Sequence, residues 1–438
     1  MASRAVGAEG VLRPYHMLVG VVLGLGMVSN GLLLSLLSVA LAGARETWQL
    51  QPSEAMLLPF FSALGQGAGA LLFGNLADRF GRRRLYALAL TIMGVSTALA
   101  SLAPSLGALV ALQSIAGIGF GGITPVAGSL MAELLPASHR GRFTALTQVF
   151  WVSGWAVGAV AGWALAPALG WRSVLWLGLL GLLLVPVVLR TVPESPRFLL
   201  ARGNRSEAEA LVAEIKARHD VELELPEQRT ATPGLLAGLR ELWTPPYRRR
   251  TIAIWVTWLT MFYAHSGLIV WLPTLIAAAG GGTAEGLRLS LGVAVSQLPA
   301  AVLGVALIDR VGRRWLIIAG LAVALVGAVG MVWSPSPEGI AMAAMPVAAG
   351  LIVAWAVILA YASELYPTRV RASGAGWAST VGRVGAVSAP LALGLLLTSW
   401  SQQRQALATF AGALALGLAV MVFLAEETAG RSLEDLAE

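Results

Sequence analysis

The chain has 438 residues, of which 57% are hydrophobic and 12% are charged. A soluble domain of ordinary composition is roughly one quarter charged, so this composition excludes such a domain and indicates a membrane protein. The formal net charge of +7 could suggest a nucleic-acid-binding protein, but the placement of the basic residues argues against that class. The chain contains no cysteine, which excludes disulfides, thiolate catalysis and cysteine-ligated metal sites.

Apolar runs of spanning length recur along the chain. The first run is much longer than the apolar core of a signal peptide, which is about 7–15 residues, so we expect it to be retained as a membrane helix. Twelve spans are predicted: 15–42, 54–77, 84–103, 107–134, 139–165, 172–191, 250–280, 286–308, 314–333, 338–365, 369–398 and 404–425. The sequence therefore predicts an all-α membrane protein with twelve transmembrane helices in two pseudo-symmetric six-helix halves.

The predicted spans divide the chain into three regions. Residues 1–191 form an N-terminal half, residues 192–249 form a linker, and residues 250–438 form a C-terminal half. The linker is charged and helix-prone, and it contains no apolar run long enough to cross a bilayer. We expect it to be cytoplasmic and to contain short helices.

The basic residues predict the orientation in the membrane. With the N-terminus inside, the outer loops carry only four of the 30 lysines and arginines, namely Arg45, Arg172, Arg288 and Arg404. Arg383 lies within a span, and the other basic residues lie on the inner side. Because cytoplasmic loops carry the excess of lysine and arginine, we expect a multi-pass protein of the inner (plasma) membrane with both termini cytoplasmic. This placement also explains the net charge without nucleic acid.

Two short motifs occur twice at the same spacing. DRFGRR begins at Asp78 and DRVGRR at Asp309, while ELLPASHR begins at Glu133 and ELYPTRVR at Glu364. Both pairs are separated by 231 residues. Two motifs that share one offset predict two six-helix repeats related in parallel, with a substrate path between them.

These motifs carry a family resemblance. GNLADRFGRRR (74–84) resembles the signature between helices 2 and 3 of the major facilitator superfamily, and DRVGRR is similar to its second copy. PESPRFLL (193–200) and EETAGRSLED (426–435) resemble the signatures that follow helices 6 and 12 in the sugar-porter-like branch. The resemblance implies the twelve-helix fold, secondary transport by alternating access, and a monomer.

Three longer stretches narrow the resemblance. They are GIGFGGITPVAGSLMAELLPASHRGRFTALTQVFWVSGW (117–155), GLIVWLP (267–273) and AYASELYPTRVRASGAGWASTVGRVGAVSAPL (360–391). Together they resemble bacterial nicotinate transporters, aromatic-acid:proton symporters and the organic-ion transporters of animals. The arginine in GRVG of helix 11 resembles the anion-handling members. The resemblance therefore implies proton-coupled uptake of a small organic anion, an aromatic or short monocarboxylate of the nicotinate type.

Arg383 lies near the middle of the eleventh predicted span. An arginine at that depth is costly unless it faces a wet cavity, a carboxylate or a polar network. No acidic residue lies at the centre of another span, and the residue equivalent to Arg383 by the 231-residue repeat is Val152. The simplest partner is a substrate carboxylate, which a guanidinium binds through two parallel hydrogen bonds. The alternative is that Arg383 caps carbonyls or bridges helices through water.

Further polar and aromatic residues are predicted at a similar depth. A planar anionic substrate would suit one arginine, a few amides and flanking indoles. The candidate substrate-binding residues are Arg383, Asn30, Gln148, Trp151, Trp155, His265, Gln297 and Trp355. The alternative for each amide or indole is packing against a neighbouring helix. His265 is also the candidate proton carrier, because an imidazole titrates near neutral pH.

Charged residues cluster at the predicted cytoplasmic ends of the spans. In the family that the chain resembles, such an acid pairs with a nearby arginine and with the N-terminus of a neighbouring helix. The resemblance implies a gate that holds the inner side shut in the outward-facing state, with Glu133 paired to Arg140 or Arg142 and Glu364 to Arg371. The candidate gate residues are Asp78, Arg82, Glu133, Arg142, Glu194, Asp309, Arg313, Glu364 and Arg371. The alternative is that these charges serve topology and stability alone.

The sequence is also compatible with other functions. A sugar or polyol transporter is favoured by the motifs after helices 6 and 12, but the seventh span lacks the paired glutamines of sugar porters. An organic-cation or drug efflux carrier and a non-transporting ligand sensor are further alternatives, since a fold does not fix a function. The sequence shows no nucleophile–base pair, metal cluster or nucleotide-binding loop. It therefore predicts neither an enzyme nor a bound cofactor or metal.

Overall fold

The computed structural model describes residues 13–135, 137–219, 235–366, 368–396 and 403–428. Within these ranges the chain is helical and contains no β-strand. This follows from the apolar composition, because a segment that crosses hydrocarbon must satisfy its own backbone hydrogen bonds, as a helix does. Among the predicted gate residues, the side chains of Asp78, Arg142, Asp309 and Arg371 lie outside the described part of the structure.

Six long helical segments form the N-terminal half. A short helix, Pro52–Ala55, precedes the second segment, and a 3₁₀ turn, Ala100–Leu102, extends the third. The sixth segment contains a 3₁₀ stretch, Leu175–Leu179. The segments are α1 (Pro14–Trp48), α2 (Leu57–Phe80), α3 (Arg82–Leu99), α4 (Leu106–Leu134), α5 (Ala137–Leu169) and α6 (Trp171–Thr191).

The described residues of the predicted linker form three short helices, Pro196–Ala201, Arg205–His219 and Leu235–Leu242. The middle helix carries an ion pair between Arg205 Nε and Glu209 Oε1 at 2.8 Å, with both side chains largely exposed. Such pairs, four residues apart, are typical of a hydrated helix surface. The linker thus differs in character from the apolar segments on either side.

Six further helices form the C-terminal half: α7 (Pro245–Ile276), α8 (Gly282–Val311), α9 (Arg313–Trp333), α10 (Pro337–Glu364), α11 (Thr368–Leu396) and α12 (Gln403–Leu424). A π-helical turn, Ala277–Gly281, joins α7 to α8. The seventh helix therefore ends at Ile276, before the end of the predicted span 250–280. Gly280 and Gly282 have φ angles of 109° and 71°. Because these angles favour glycine, the GGG sequence permits a sharp bend without strain.

Eleven stretches of the described residues are long and apolar enough to cross a membrane. One of them, Val270–Ile308, continues through the glycine bend and combines the end of α7 with most of α8. Since α7 is itself a helix of 32 residues that begins at Pro245, the chain contains twelve long helical segments within the described ranges. This is the predicted number.

The helices pack in the same way within each half. In the N-terminal half α1 packs against α5 and α2 against α4, while in the C-terminal half α7 packs against α11 and α8 against α10. Gly31 of α1 faces the carbonyl oxygen of Trp151, and Gly385 of α11 faces that of Leu259. A Cβ atom at either glycine would overlap that oxygen, so small residues set the close helix crossings.

The two halves meet along two seams. The first seam is formed by α2 and α11 and the second by α5 and α8, with α1 and α7 in contact between them. Away from the linker, the Ser38 hydroxyl of α1 donates a hydrogen bond of 2.8 Å to the carbonyl oxygen of Val270 in α7. Gly394 of α11 faces the Met56 side chain at the same end of the first seam. These contacts hold the halves together at the end opposite the linker.

Candidate functional site

Arg383 lies halfway along α11, in the first seam. Its Nη1 donates a hydrogen bond of 3.3 Å to the backbone carbonyl oxygen of Gln66 in α2, so the guanidinium connects the two halves. Its side chain is partly buried. Among the described residues no carboxylate lies within ion-pair distance of Arg383. A neutral carbonyl accepts a hydrogen bond but does not neutralise the charge, which remains available for an anion.

Close packing of α11 on α7 fixes the position of Arg383. A Cβ atom at the preceding residue, Gly382, would lie 2.7 Å from Cδ2 of Phe262 and 3.0 Å from Cε3 of Trp258. Gly385, on the same face of α11, lies against the backbone of Leu259. The two glycines therefore press α11 onto an aromatic face of α7. Neither Phe262 nor Trp258 was predicted from the sequence as a site residue, although both share that helical face with His265.

Six aromatic rings form a continuous row between the halves. In order they are Trp155, Trp151, His265, Trp355, Phe262 and Trp258, and we call them the aromatic row. Trp151 and Trp155 come from α5, Trp355 from α10 and the rest from α7. Successive ring centroids are 6.2, 5.4, 5.4, 4.5 and 5.6 Å apart. The structure thus brings together four residues that were predicted from the sequence to bind a planar substrate.

Electrostatic and stacking groups therefore meet in one region. The aromatic row ends at Phe262 and Trp258, which contact the backbone of α11 beside Arg383. Aromatic rings offer flat apolar faces that stack on a planar ligand, while a guanidinium binds a carboxylate in its plane. An aromatic carboxylate combines both of these chemical features.

The predicted amides are placed differently. Asn30 is 0% exposed and Gln297 is 1% exposed, and neither side-chain polar atom of either residue has a hydrogen-bond partner among the described residues. Gln148 is also buried. The structure therefore packs these amides between helices, and their role as substrate ligands stays a prediction. An unpartnered buried amide costs about 1–3 kcal/mol.

The internal repeat relates the two seams. Gln297 of α8 is the equivalent of Gln66 of α2, and Val152 of α5 is the equivalent of Arg383, each at an offset of 231 residues. Val152 is fully buried. The charge that joins the halves at the first seam therefore has an apolar counterpart at the second, so the packing of a seam does not itself require an arginine.

A charged network closes the linker end of the N-terminal half. Glu133 at the end of α4 contacts the Arg82 guanidinium and the Ser195 hydroxyl. The Glu194 carboxylate accepts hydrogen bonds from the backbone N–H groups of Arg82 at 2.8 Å and Arg83 at 3.1 Å. These N–H groups begin α3, so Glu194 caps the positive end of that helix. The PESPR motif thus ties the start of the linker to α3 and α4.

A second network repeats this arrangement in the C-terminal half. Arg313 Nε lies 3.3 Å from Glu364 Oε2, and the Thr428 hydroxyl donates to the same carboxylate at 2.6 Å. The Glu427 carboxylate accepts a hydrogen bond of 2.9 Å from the Arg313 N–H group at the start of α9. Glu427 was not predicted. The signal for it was the acid–hydroxyl pair Glu427–Thr428, which parallels Glu194–Ser195 at an offset of 233.

The contacts described in these two networks join residues of the same half, or join the N-terminal half to the start of the linker, and none of them joins the two halves. Glu133 pairs with Arg82, and more distantly with Arg197 at 3.8 Å, whereas the expected partners Arg140 and Arg142 have side chains outside the described part. Glu364 pairs with Arg313, and the side chain of Arg371 is likewise not described. The networks tie helix ends together within each half. Their action as a gate between the halves stays a prediction.

Comparisons with known proteins identify the family. The family model described as "Sugar (and other) transporter" matches residues 44–438. The niacin transporter NiaP of Acinetobacter baylyi is 31% identical over 416 residues, which covers 95% of this chain and 95% of that protein. The putative niacin/nicotinamide transporter NiaP of Bacillus subtilis is 27% identical over 417 residues, covering 94% and 96% of the two chains.

Solved structures support the same fold. The proton:xylose symporter XylE, of the major facilitator superfamily, bound to 6-bromo-6-deoxy-D-glucose, superposes with a TM-score of 0.71 at 21% sequence identity, covering 96% of this chain and 98% of that one. A partially occluded inward-open structure of XylE from E. coli gives a TM-score of 0.72 over 95% and 99% of the two chains. The predicted fold and the predicted family resemblance are confirmed. The chain belongs to the sugar (and other) transporter family of the major facilitator superfamily and is a multi-pass membrane transporter.

Proposed function

We propose that this protein transports a small aromatic monocarboxylate of the nicotinate type by alternating access of its two halves. The observation that carries the proposal is the Arg383 guanidinium, which lies halfway along α11 with only a neutral backbone acceptor among the described residues. The aromatic row that ends beside it supports an aromatic rather than an aliphatic acid. The similarity to proteins described as niacin transporters supports the same substrate class.

The guanidinium has the capacity for this role. Arginine carries five N–H donors, and the contact with the Gln66 carbonyl uses one nitrogen, Nη1. A carboxylate that takes the remaining donors in a two-point pair would neutralise the charge and supply short, charge-assisted hydrogen bonds. Since Arg383 bridges α2 and α11, the same carboxylate would lie at the seam between the halves, which move relative to each other during alternating access.

The direction and energy source complete the proposal. We place the protein in the inner (plasma) membrane as a monomer with both termini cytoplasmic, and uptake driven by co-transported protons. The described neighbour XylE is a proton:xylose symporter, which supports proton coupling in this fold. His265 remains the proposed proton carrier, because it is the titratable member of the aromatic row. The linker-end networks would then shift the population between inward- and outward-facing states.

A sugar or polyol is the second candidate substrate. The structural neighbours bind a deoxyglucose derivative or are described as xylose transporters, and indole faces also stack on sugar rings. A sugar, however, leaves the charge of Arg383 without a counter-ion, which favours the anion. Organic-cation or drug efflux and ligand sensing without transport remain weaker alternatives, because an unpaired guanidinium repels a cation.

A ligand panel on the purified protein tests the substrate class. Wild type, Arg383→Gln and a control, Arg404→Gln, are unfolded thermally in detergent with nicotinate, benzoate, lactate, glucose or a quaternary ammonium ion. A ligand at 100 times its Kd raises the free energy of unfolding by about 2.7 kcal/mol. We expect carboxylates to stabilise wild type and Arg404→Gln, whose arginine is exposed at the start of α12, but not Arg383→Gln.

A response to ligands other than carboxylates would contradict the proposed substrate class. Stabilisation of wild type by glucose or by the cation, with no response to carboxylates, assigns a different substrate class and leaves Arg383 with a structural role. Liposomes loaded with the purified protein then test coupling: an inward proton gradient should accelerate carboxylate uptake. Equal uptake with and without the gradient would exclude proton coupling while leaving the substrate assignment intact.

A further inference from the structure

His265 lies at the centre of the aromatic row. Its imidazole is 5.4 Å from the indole of Trp151 and 5.4 Å from the indole of Trp355, with interplanar angles of 51° and 48°. Trp151 belongs to the N-terminal half and Trp355 to the C-terminal half. One small heteroaromatic ring thus bridges the two halves between larger ones. At these centroid distances the rings are in contact, so neither gap admits a further ring.

The two indoles that flank His265 are held firmly. Trp151 stacks on Trp155 with an interplanar angle of 13°, and its backbone is packed against Gly31 of α1. Trp355 contacts Phe262, with ring centroids 4.5 Å apart. Moving either indole would therefore disrupt several packed residues, which is costly in a dense interior.

The imidazole itself is held less firmly. His265 makes no hydrogen bond or ion pair with the described residues, and its side chain is partly exposed, unlike the buried Trp151. Its described ring contacts are with the indoles of Trp151 and Trp355. A side chain with two rotatable bonds and no polar anchor can change rotamer without leaving a buried polar group unpaired.

The aromatic row connects His265 with the helix that carries Arg383. Trp355 contacts Phe262, and Phe262 contacts α11 at Gly382, the residue before Arg383. Along this row, one ring separates Trp355 from the helix that carries the anion-binding group. A six-membered aromatic ring stacks on indoles as an imidazole does.

We propose that His265 is an internal placeholder, whose imidazole occupies the slot between Trp151 and Trp355 that the aromatic ring of the substrate takes on binding. This inference rests on the proposed function and deepens it, because it makes His265 the residue that sets selectivity between aromatic and aliphatic carboxylates. An aliphatic acid binds Arg383 and leaves the imidazole in the slot. An aromatic acid displaces it and gains the stacking contacts with both indoles in exchange.

Two variants of opposite effect test the placeholder. In His265→Ala the slot is open before binding, so the Kd for nicotinate and benzoate should fall about three- to ten-fold while the Kd for lactate stays unchanged. In His265→Phe a larger apolar ring fills the slot, so the Kd for the aromatic acids should rise by a similar factor, again without an effect on lactate. Ser266→Ala, on the neighbouring residue, is the matched control and should bind all three acids as wild type does.

The outcomes separate this inference from the proposed function. Weaker binding of aromatic acids to His265→Ala would overturn the placeholder and make the imidazole a direct ligand. An equal change for lactate and benzoate would also overturn it, because the effect would then act through Arg383 or through folding. Should His265→Ala fail to fold, His265→Ser opens the same slot with a small side chain and is read in the same way. If wild type itself binds no carboxylate, the proposed function fails first, and the placeholder fails with it.

Discussion

At the linker end of the bundle the internal repeat preserves the same residues in both halves, whereas at the centre of the bundle it does not. At the linker end, Glu133 with Arg82 and Glu364 with Arg313 make the same type of ion pair in each half. In each half an acid–hydroxyl dipeptide contacts this pair. Its hydroxyl contacts the glutamate of the pair, and its carboxylate caps the helix that begins with the arginine. Because the two halves pack their helices in the same way, the same ion pair and the same helix cap occur at equivalent positions of both halves.

The centre of the bundle shows no such duplication. The equivalents of Arg383, His265 and Trp355 in the other half are Val152, Leu34 and Thr124. A charge, an imidazole and an indole thus have apolar or small counterparts. Since the fold accommodates both versions of each position, the residues that occur once are the candidates for substrate binding, whereas those that occur twice are explained by the shared packing of the two repeats.

The largest expected effect comes from making the two seams alike. In Arg383→Val both seams carry valine, and the Kd for carboxylates should rise about 30- to 1,000-fold, the cost of truncating one member of a buried charge pair. The ligand-free protein should be no less stable, because the charge lacks a described carboxylate partner. Equilibrium binding and thermal unfolding measure the two quantities, with Arg404→Val as the control. Undiminished carboxylate binding would contradict the assignment of Arg383.

A smaller effect is expected from breaking one network at a time. Arg82 and Glu133 are 14% and 4% exposed, whereas Arg313 and Glu364 are 19% and 27% exposed, so the first pair is less screened by water. We expect Glu133→Gln to lower the free energy of unfolding by about 2–3 kcal/mol and Glu364→Gln by about 1 kcal/mol.

Denaturant unfolding measures this difference between the halves. Glu285→Gln is the control, since its partner Arg288 is exposed and ion pairs at the surface contribute little. Because the chain has no cysteine, single cysteines introduced at Gly128 or Gly376, both exposed, also report access from the linker end. A gate predicts that Glu133→Gln changes the labelling rate. Loss of stability with an unchanged labelling rate would restrict the networks to a structural role.

The smallest expected effect concerns the second seam. Gln297→Leu replaces a fully buried amide that has no hydrogen-bond partner in the described part of the chain, so the free energy of unfolding should rise by about 1 kcal/mol with carboxylate affinity unchanged. Gln66→Leu, at the equivalent position of the first seam, is the control, because Arg383 uses the backbone carbonyl of Gln66 rather than its amide. Reduced carboxylate affinity of Gln297→Leu would instead support its sequence-based assignment to the substrate site.

Much of the site followed from residue type and depth. Trp151, Trp155, His265 and Trp355 were selected one by one as residues near the middle of three spans, and the structure joins them in one row. Phe262 and Trp258 were missed because aromatic residues are common in membrane helices and only packing distinguishes those beside Arg383. The partners of Glu133 and Glu364 were expected nearby in sequence, yet the described ones, Arg82 and Arg313, come from a different helix.

The sequence by itself determined the number of spans, the repeat and the existence of an isolated charge at the centre. These properties depend on hydropathy and spacing along one chain, and an apolar segment of spanning length must form a helix in a bilayer. Only the tertiary structure decided which side chains meet. Contacts such as that of Arg383 with the Gln66 carbonyl, or of His265 with two indoles from opposite halves, depend on helix rotation and crossing distance, which glycines such as Gly31 and Gly382 set through packing between helices.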